Sequence, residues 1–210
     1  MNVKTLVAAL ALAAAMTATA PRVHAEGTNP DPLNEKSILF DPDIPAQGNV
    51  KGDITIVEYF DYQCPYCKKV NPELMKVVRE DGHVRLVFKD WPIFGDASVQ
   101  AARLALAAKY QNKHAEAHDA LISLTGRLTE NAVERALVAA GIDLERAKTD
   151  LDNNHEAIDA ILARNNEQAS AFGFRGTPAF IIGHFRVPGA LDAGSFKEAI
   201  AAARAAARKK

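Results

Sequence analysis

The stretch that decides the fold reads Ile54-Thr55-Ile56-Val57-Glu58-Tyr59-Phe60-Asp61-Tyr62-Gln63-Cys64-Pro65-Tyr66-Cys67. Its first half, Ile54 to Phe60, is rich in β-branched and aromatic residues, which predicts a buried strand. Apolar residues at helical spacing follow from Lys68 to Glu80, and Val84 to Phe88 predicts a second strand. A strand, a helix and a strand over about 35 residues match the size of a βαβ unit with parallel strands.

The remainder of the chain predicts helices and then a hairpin. Helical spacing runs through residues 96–173, where no strand pattern interrupts it. Two short strands then flank Gly183, which suits a tight turn, and a last helix begins after Asp192. Strands covered by helices make an α/β fold of the order βαβ…ββα, with an inserted all-helical domain. The predicted divisions are 51–95 with 174–208 for the α/β domain, and 96–173 for the helical domain.

The first 50 residues differ from the rest of the chain. Residues 1–25 combine Lys4, an uncharged apolar run and small residues ending at Ala25, the pattern of a signal peptide cleaved after Ala25. The apolar run is shorter than the about 20 residues that span a membrane, and a retained anchor is the alternative. Residues 26–50 are rich in proline, asparagine and aspartate, which predicts an extended segment with a short edge strand at residues 37–40.

The charge balance limits the classes of partner. The chain has 25 basic and 26 acidic residues, a formal net charge of −1. Its one dense basic tract, from Arg204 to Lys210, is placed to complement the negative end of the last helix. The sequence therefore predicts no binding to nucleic acid, which depends on neutralising many phosphates.

Cys64 and Cys67 are the only cysteines in the chain. A disulfide stabilises most when it closes a long loop, and a bridge across two residues closes almost none. The pair therefore predicts redox chemistry rather than a structural staple. Half of a metal site is the other alternative, but a zinc site takes four ligands and the chain has no second cysteine pair.

The two cysteines have different predicted roles. Cys64 falls where the strand ends and the helix begins, and free N–H groups and the helix dipole stabilise negative charge there. Pro65 suits the first helical turn, where its missing N–H costs nothing. These effects lower a cysteine pKa from about 8.5 and make the thiolate reactive at neutral pH. Cys64 is thus the predicted exposed nucleophile, and the inward-facing Cys67 the resolving thiol.

Three motifs stand out along the chain: residues 57–67, Phe88-Lys89-Asp90-Trp91-Pro92-Ile93-Phe94-Gly95 and Gly173-Phe174-Arg175-Gly176-Thr177-Pro178-Ala179-Phe180. A helical insertion separates the second motif from the third. Together they resemble the DsbA family of thiol:disulfide oxidoreductases, and within it are most similar to the ScsC-like branch associated with copper tolerance. The resemblance covers about residues 37–205. The resemblance implies a thioredoxin fold in which Cys64 and Cys67 form the active site.

The resemblance also implies roles for other residues. Pro178 is expected to be a cis-proline beside the cysteines, with the Thr177 backbone pairing with an extended substrate. Pro65 and Tyr66 are expected to contact substrate. Glu58 is expected to be a buried acid that exchanges a proton with the resolving thiol. Its alternative is a half-exposed carboxylate paired with Lys89.

The function implied is disulfide exchange in the periplasm with unfolded or misoxidised exported proteins. No cofactor is expected, since the Cys64–Cys67 disulfide itself carries the two electrons, and no resident metal is expected. A membrane redox partner is implied, and the irregular residues 26–50 indicate a monomer. Two alternatives stay open: an isomerase or reductase kept reduced by a membrane donor, and a Cu(I)-binding chaperone that uses both thiolates.

Several polar residues near these motifs have weaker predicted roles. His114 and His118 stand one helical turn apart, a spacing that can bind metal, but without a clear third ligand they are predicted to be solvent-exposed. Asp61 and Lys68, beside the cysteines, are interpreted as surface residues that adjust the local charge.

Overall fold

The computed structural model describes residues 31–209. Its sheet has five strands in the order β1-β3-β2-β4-β5. The strands are β1 Ala46–Gly48, β2 Ile54–Phe60, β3 Val84–Asp90, β4 Ala179–Ile182 and β5 Phe185–Pro188. Strand β2 is parallel to β3 and antiparallel to β4, while β5 and β1 are antiparallel to their single neighbours. The predicted α/β class, the parallel pair and the hairpin are confirmed.

Helices cover both faces of this sheet. They are α1 Glu35–Leu39, α2 Pro65–Asp81, α3 Asp96–Ala107, α4 His114–Ile122, α5 Glu130–Ala139, α6 Leu144–Asn153, α7 His155–Ala171 and α8 Ala193–Ala207. A short 3-10 turn at Ala108–Gln111 joins α3 to α4. The helices predicted between β3 and β4 are therefore present, while the division of the chain into domains stays a prediction.

The central strand β2 is buried along its whole length and faces two apolar clusters. Ile56 and Phe60 belong to the cluster that contains the apolar residues of α2, α3 and α8. Val57 and Tyr59, on the opposite face, belong to the cluster that contains Ile38 and the apolar residues of α7. Successive side chains of a strand point to opposite faces, so this central strand has to be apolar on both.

The segment before β1 is not the extended chain that the composition predicts. Residues 37–40 do not form an edge strand, because 35–39 form the short helix α1. The Asn34 side chain caps this helix by accepting a hydrogen bond from Ser37 N at 2.8 Å. Ile38 and Leu39 are thereby directed into the core. The predicted signal peptide, residues 1–25, lies outside the described residues.

Strand β5 forms one edge of the sheet, and its residues are largely exposed. It ends at Pro188, and Arg186 donates a hydrogen bond to Phe172 O at 2.8 Å. Gly183 begins the turn before it with a φ of 57°, which favours glycine, and a Cβ there would lie in tight contact, 3.0 Å, with the Ala203 Cβ. Between residues 31 and 209, no helix has both the length and the apolar content needed to cross a bilayer.

Candidate active site

Cys64 is the N-cap of α2, and Pro65 is the first residue of the helix. The Cys67 backbone N–H donates to Cys64 Sγ at 3.5 Å, so the sulfur occupies the position of a capping oxygen. The Cys64 N–H donates to Asp61 O at 3.0 Å, which closes the turn between β2 and α2. Both cysteines are free thiols. The sequence predicted this placement at the helix N-terminus correctly.

The surroundings of the two thiols shift their pKa values in opposite directions. A hydrogen bond from the Cys67 thiol, with further bonds from the backbone N–H groups of Cys67 and Tyr66, lowers the pKa of Cys64 to about 6, although burial opposes this. Burial raises the pKa of Cys67, and its hydrogen bond to Cys64 raises it further. At neutral pH the pair therefore holds one thiolate, at Cys64, and one thiol, at Cys67.

Cys64 is covered in this structure, which corrects the prediction of an accessible sulfur. The residue is only 1% exposed. Its Sγ lies 3.3 Å from Thr177 O, which belongs to a segment distant in sequence. Tyr66, two residues further on, is 62% exposed. The helix N-terminus alone predicts a reactive sulfur, but its exposure depends on how the segment at Thr177 packs over it.

The Thr177–Pro178 peptide bond is cis, as the family resemblance implied. It immediately precedes β4, which begins at Ala179 and pairs with Tyr59 of β2. The carboxyl end of β2 leads to Cys64, so this pairing brings the Thr177 carbonyl to the sulfur. Thr177 and Pro178 thus lie at the cysteine pair.

Glu58 is buried on the face of β2 that contacts α2, with an exposed fraction of 2%. Burial, followed by the negative charge of Cys64, raises its pKa to about 8. The alternative pairing with Lys89 is wrong, because the Lys89 Nζ lies on the other face of the sheet, 3.0 Å from Asp41 Oδ2. Glu58 is therefore a protonated or readily protonated acid close to the reactive sulfur.

The residues that flank the cysteines hold neighbouring loops. Gln63 Oε1 accepts from Leu128 N at 2.6 Å, and Gln63 Nε2 donates to Gly126 O at 3.3 Å. Lys68 Nζ donates to the carbonyl of Leu124 in the same loop between α4 and α5. Asp61 is 1% exposed rather than a surface residue. Sequence reasoning missed these contacts, because nothing local to the motif shows which distant loops lie beside it.

His114 and His118 are buried, which corrects their prediction as solvent-exposed residues. The His118 ring stacks on Phe88 with 3.8 Å between centroids, and its Nδ1 lies 3.3 Å from Tyr62 Oη. His114 and His118 are one turn apart and therefore lie on the same face of α4. This face packs towards the sheet, so both side chains are buried. Within the described part of the chain, no three His, Cys, Asp or Glu side chains come together as a metal site.

A model of the family described as thioredoxin matches residues 41–202. The chain belongs to the thioredoxin family. One curated relative of this thioredoxin-family protein is the Na(+)/H(+) antiporter NhaA 3 of Salinispora tropica, which is 27% identical over 198 residues. That match covers 93% of this chain and 30% of the antiporter. The chain thus spans less than a third of the length of the first curated relatives it matches.

Solved structures show the same thioredoxin-family fold. A thioredoxin-like oxidoreductase from Silicibacter pomeroyi DSS-3 is 38% identical with a TM-score of 0.78, covering 81% of this chain and 98% of that one. The thiol-disulfide exchange protein alpha-DsbA2 from Wolbachia pipientis is 27% identical with a TM-score of 0.75, covering 80% and 90%. The catalytic domain of Proteus mirabilis ScsC, 24% identical with a TM-score of 0.72 and coverage of 81% and 94%, shares the fold. The predicted thioredoxin fold and DsbA-like relationship are confirmed.

Proposed function

We propose that this thioredoxin-family protein exchanges disulfides with protein substrates through Cys64 and Cys67. The observation that carries the proposal is the position of Cys64 Sγ at the N-terminus of α2, 3.5 Å from Cys67 N and 3.3 Å from Thr177 O beside cis-Pro178. The lowered pKa of Cys64 and the raised pKa of Cys67 agree with it. A low-pKa thiolate attacks a disulfide, and a neighbouring thiol that stays protonated is available for the second step. The family match and the thiol-disulfide exchange activity named for the Wolbachia relative support the same chemistry.

The exchange proceeds in two balanced steps. The Cys64 thiolate attacks one sulfur of a substrate disulfide, forms a mixed disulfide and releases the other substrate sulfur as a thiolate. Cys67 loses its proton, attacks Cys64 Sγ and releases the second substrate thiolate, which leaves a Cys64–Cys67 disulfide. The substrate gains two electrons and the protein loses two, and the reverse sequence oxidises a substrate dithiol. No further cofactor is required for either direction.

Five further residues assist these steps. Thr177, next to cis-Pro178, pairs through its backbone with an extended substrate as an added strand does. Pro65 and Tyr66 contact the same substrate, and Tyr66 has the exposure to do so. In the mixed disulfide Cys64 carries no charge, which favours the ionised form of Glu58; this form accepts the Cys67 proton during the second step and returns it in the reverse reaction. Its pKa of about 8 places it close to the operating pH, which general acid–base catalysis favours.

The proposed setting is the periplasm, and the proposed clients are unfolded or misoxidised exported proteins. The signal-peptide pattern of residues 1–25 and the DsbA-like relationship support export. Oxidation of a client leaves the cysteine pair reduced, and reduction of a client leaves it oxidised. We propose that a membrane partner restores the starting redox state. We propose that the protein acts as a monomer.

The direction of electron flow is tested by equilibrium with a glutathione redox buffer. A strong donor of disulfides has a reduction potential of about −120 mV and an isomerase one of about −180 mV, whereas a reductase lies at about −270 mV, a value that would exclude the donor role. Cys64→Ala is expected to abolish exchange, and Cys67→Ala to accumulate the mixed disulfide. Exchange that persists in Cys64→Ala contradicts the assignment of Cys64 as nucleophile.

Copper binding by the same two sulfurs is the second candidate. Thiolates select Cu(I), but both sulfurs must be deprotonated to bind it. The raised pKa of Cys67 opposes that deprotonation and favours disulfide exchange. Anaerobic Cu(I) titration of the reduced protein checks this, and tight binding that Cys67→Ser removes would favour the copper function.

A further inference from the structure

Asp61 has a buried carboxylate that accepts four hydrogen bonds. Its Oδ2 accepts from Ile93 N at 2.7 Å and from Phe94 N at 3.0 Å. Its Oδ1 accepts from Ser98 Oγ at 2.7 Å and from Gln63 N at 2.6 Å. Three of these donors are backbone N–H groups, which can only donate. A carboxylate is the side chain that offers enough acceptor sites for all four.

The same residue is joined to the reactive cysteine. The Asp61 carbonyl accepts from Cys64 N at 3.0 Å. One residue therefore connects the turn that presents Cys64 with the segment that carries Ile93 and Phe94. That segment lies between the end of β3 at Asp90 and the start of α3 at Asp96, outside any helix or strand. Trp91 N at its start donates to Phe60 O of β2 at 2.8 Å, and the Asp61 carboxylate then holds the Ile93 and Phe94 backbone towards the turn of Cys64.

The side chains held in this way are apolar and exposed. Ile93 is 41% exposed and Phe94 is 51% exposed. Tyr66, in the first turn of α2, is 62% exposed. Exposed large apolar side chains close to a reactive group indicate a contact surface for a partner. In contrast, Trp91, at the start of the same segment, is buried and anchors it to the core.

We propose that Asp61 is a positioning residue, which holds Ile93 and Phe94 beside Cys64 as a contact surface for an apolar segment of an extended polypeptide. The proposal rests on the function proposed above and names which client chemistry the protein selects. A client binds with apolar side chains against Ile93 and Phe94, and a neighbouring client sulfur is then directed to Cys64. Small thiols such as glutathione make no such contact.

Substitutions at position 61 differ in how many of the four hydrogen bonds they retain. Alanine removes all four acceptor contacts and frees the segment. The carbonyl oxygen of an asparagine can still accept from Ile93 N and Phe94 N, and its NH₂ group can donate to Ser98 Oγ. Of the four contacts, the substitution loses the one from Gln63 N. Asp61→Asn is therefore the conservative variant that restores the position of the segment.

The test measures KM and kcat for a disulfide-bonded peptide with apolar residues beside its cysteines. Asp61→Ala and Phe94→Ala are each expected to raise KM about fivefold or more while kcat changes less, since both weaken binding rather than chemistry. The double variant is expected to match the more affected single variant, because the two substitutions disrupt one contact. Asp61→Asn is expected to recover most of the affinity.

The control is Asp192→Ala, which removes another carboxylate that accepts a backbone N–H, from Ser195 at 2.7 Å, at the start of α8. It is expected to leave KM unchanged. Additive effects of Asp61→Ala and Phe94→Ala, or an unchanged KM in Phe94→Ala, overturn the proposal. If Asp61→Ala does not fold, Ile93→Ser, at an exposed side chain, is expected to raise KM as Phe94→Ala does, and an unchanged KM in Ile93→Ser then overturns the proposal. Exchange of the wild-type protein with glutathione tests the proposed function separately.

Discussion

Glu58 and Cys64 influence each other's protonation, because both lie on the buried side of the turn between β2 and α2. The negative charge of Cys64 contributes to the raised pKa of Glu58, after burial itself. A proton on Glu58 therefore favours the thiolate on Cys64. The alternation of apolar residues in β2 predicted the burial of Glu58 correctly. The family resemblance placed Thr177 beside the cysteines, but the sequence did not indicate that this segment, 113 residues further along the chain, would cover Cys64 so closely.

The raised pKa of Glu58 has a consequence for the pH dependence of stability. Between the unfolded value of 4.5 and the folded value of about 8, the unfolded chain ionises while the folded protein keeps the proton. Stability contributed by this residue is therefore full below pH 4.5, decreases as pH rises and reaches its minimum above pH 8. We expect Glu58→Gln to stabilise the reduced protein by about 2 kcal/mol or more at pH 8 relative to pH 4.

Urea unfolding of the reduced protein at pH 4, 6 and 8 measures this difference. Glu73→Gln, at an exposed position of α2, is the matched control and should show none. Equal pH profiles for wild type and Glu58→Gln would contradict the assigned burial effect.

The same variant should slow the resolution of the mixed disulfide by about tenfold or more, if Glu58 acts as the general base for Cys67.

At the scale of elements, the packing of helix α4 against the sheet shows the limit of reading residue types. The helix itself follows from its spacing, and the structure places it at 114–122, within the predicted stretch. Its histidines suggested a solvated face, yet that face packs against Phe88 and Tyr62. A neutral imidazole can stack like an aromatic residue when burial suppresses its charge. The burial of these histidines depends on α4 packing over the sheet, and the local sequence pattern does not predict this packing.

Burial lowers the pKa of His118 well below its usual value, and the nearby His114 lowers it further. As pH falls below 6.5, the unfolded chain gains a proton that folded His118 does not, so stability decreases. We expect His118→Gln to be less stable than wild type at pH 7, but its free energy of unfolding should decrease less than that of wild type between pH 7 and pH 5. The difference in slope should reach at most about 1.4 kcal/mol per pH unit, the limit for one proton.

Thermal or urea unfolding between pH 7 and pH 5 is the measurement. His155→Gln removes an exposed histidine at the start of α7 and should retain the wild-type slope. His114 remains in both variants and contributes acid sensitivity in the same direction, because burial lowers its pKa to about 4. Parallel slopes for wild type and His118→Gln would show that His118 takes up its proton in the folded state.

At the scale of the whole molecule, a buried ion cluster ties the N-terminal segment to the sheet and to α7. Asp41 accepts from Lys89 Nζ at 3.0 Å and is bound by two nitrogens of Arg164, at 3.1 and 2.9 Å. Burial lowers the pKa of Lys89 to about 8, while Asp41 opposes this shift. Periodicity in the sequence predicted the order of the elements. It could not predict this cluster, because the cluster joins positions up to 123 residues apart.

We expect Asp41→Ala to destabilise the protein by about 3–5 kcal/mol, because it leaves the Lys89 charge buried without its partner. The control is Asp159→Ala, which breaks an ion pair with Arg103 at 2.8 Å whose side chains are 38% and 43% exposed. Exposed pairs contribute about 0–1 kcal/mol, so the control should differ little from wild type. Urea midpoints compare the two, and similar losses would mean that the cluster at Asp41 contributes little to stability.

The edge strand β5 limits where an incoming chain can attach. Pro188 has no N–H to offer, and Arg186 places a charge along the exposed border, two features that oppose uncontrolled strand addition. A protein whose proposed clients are unfolded would otherwise be at risk of co-aggregating with them through this border. Strand addition by a client is thereby opposed along β5, while the Thr177 backbone beside the sulfur pair stays the proposed place of attachment.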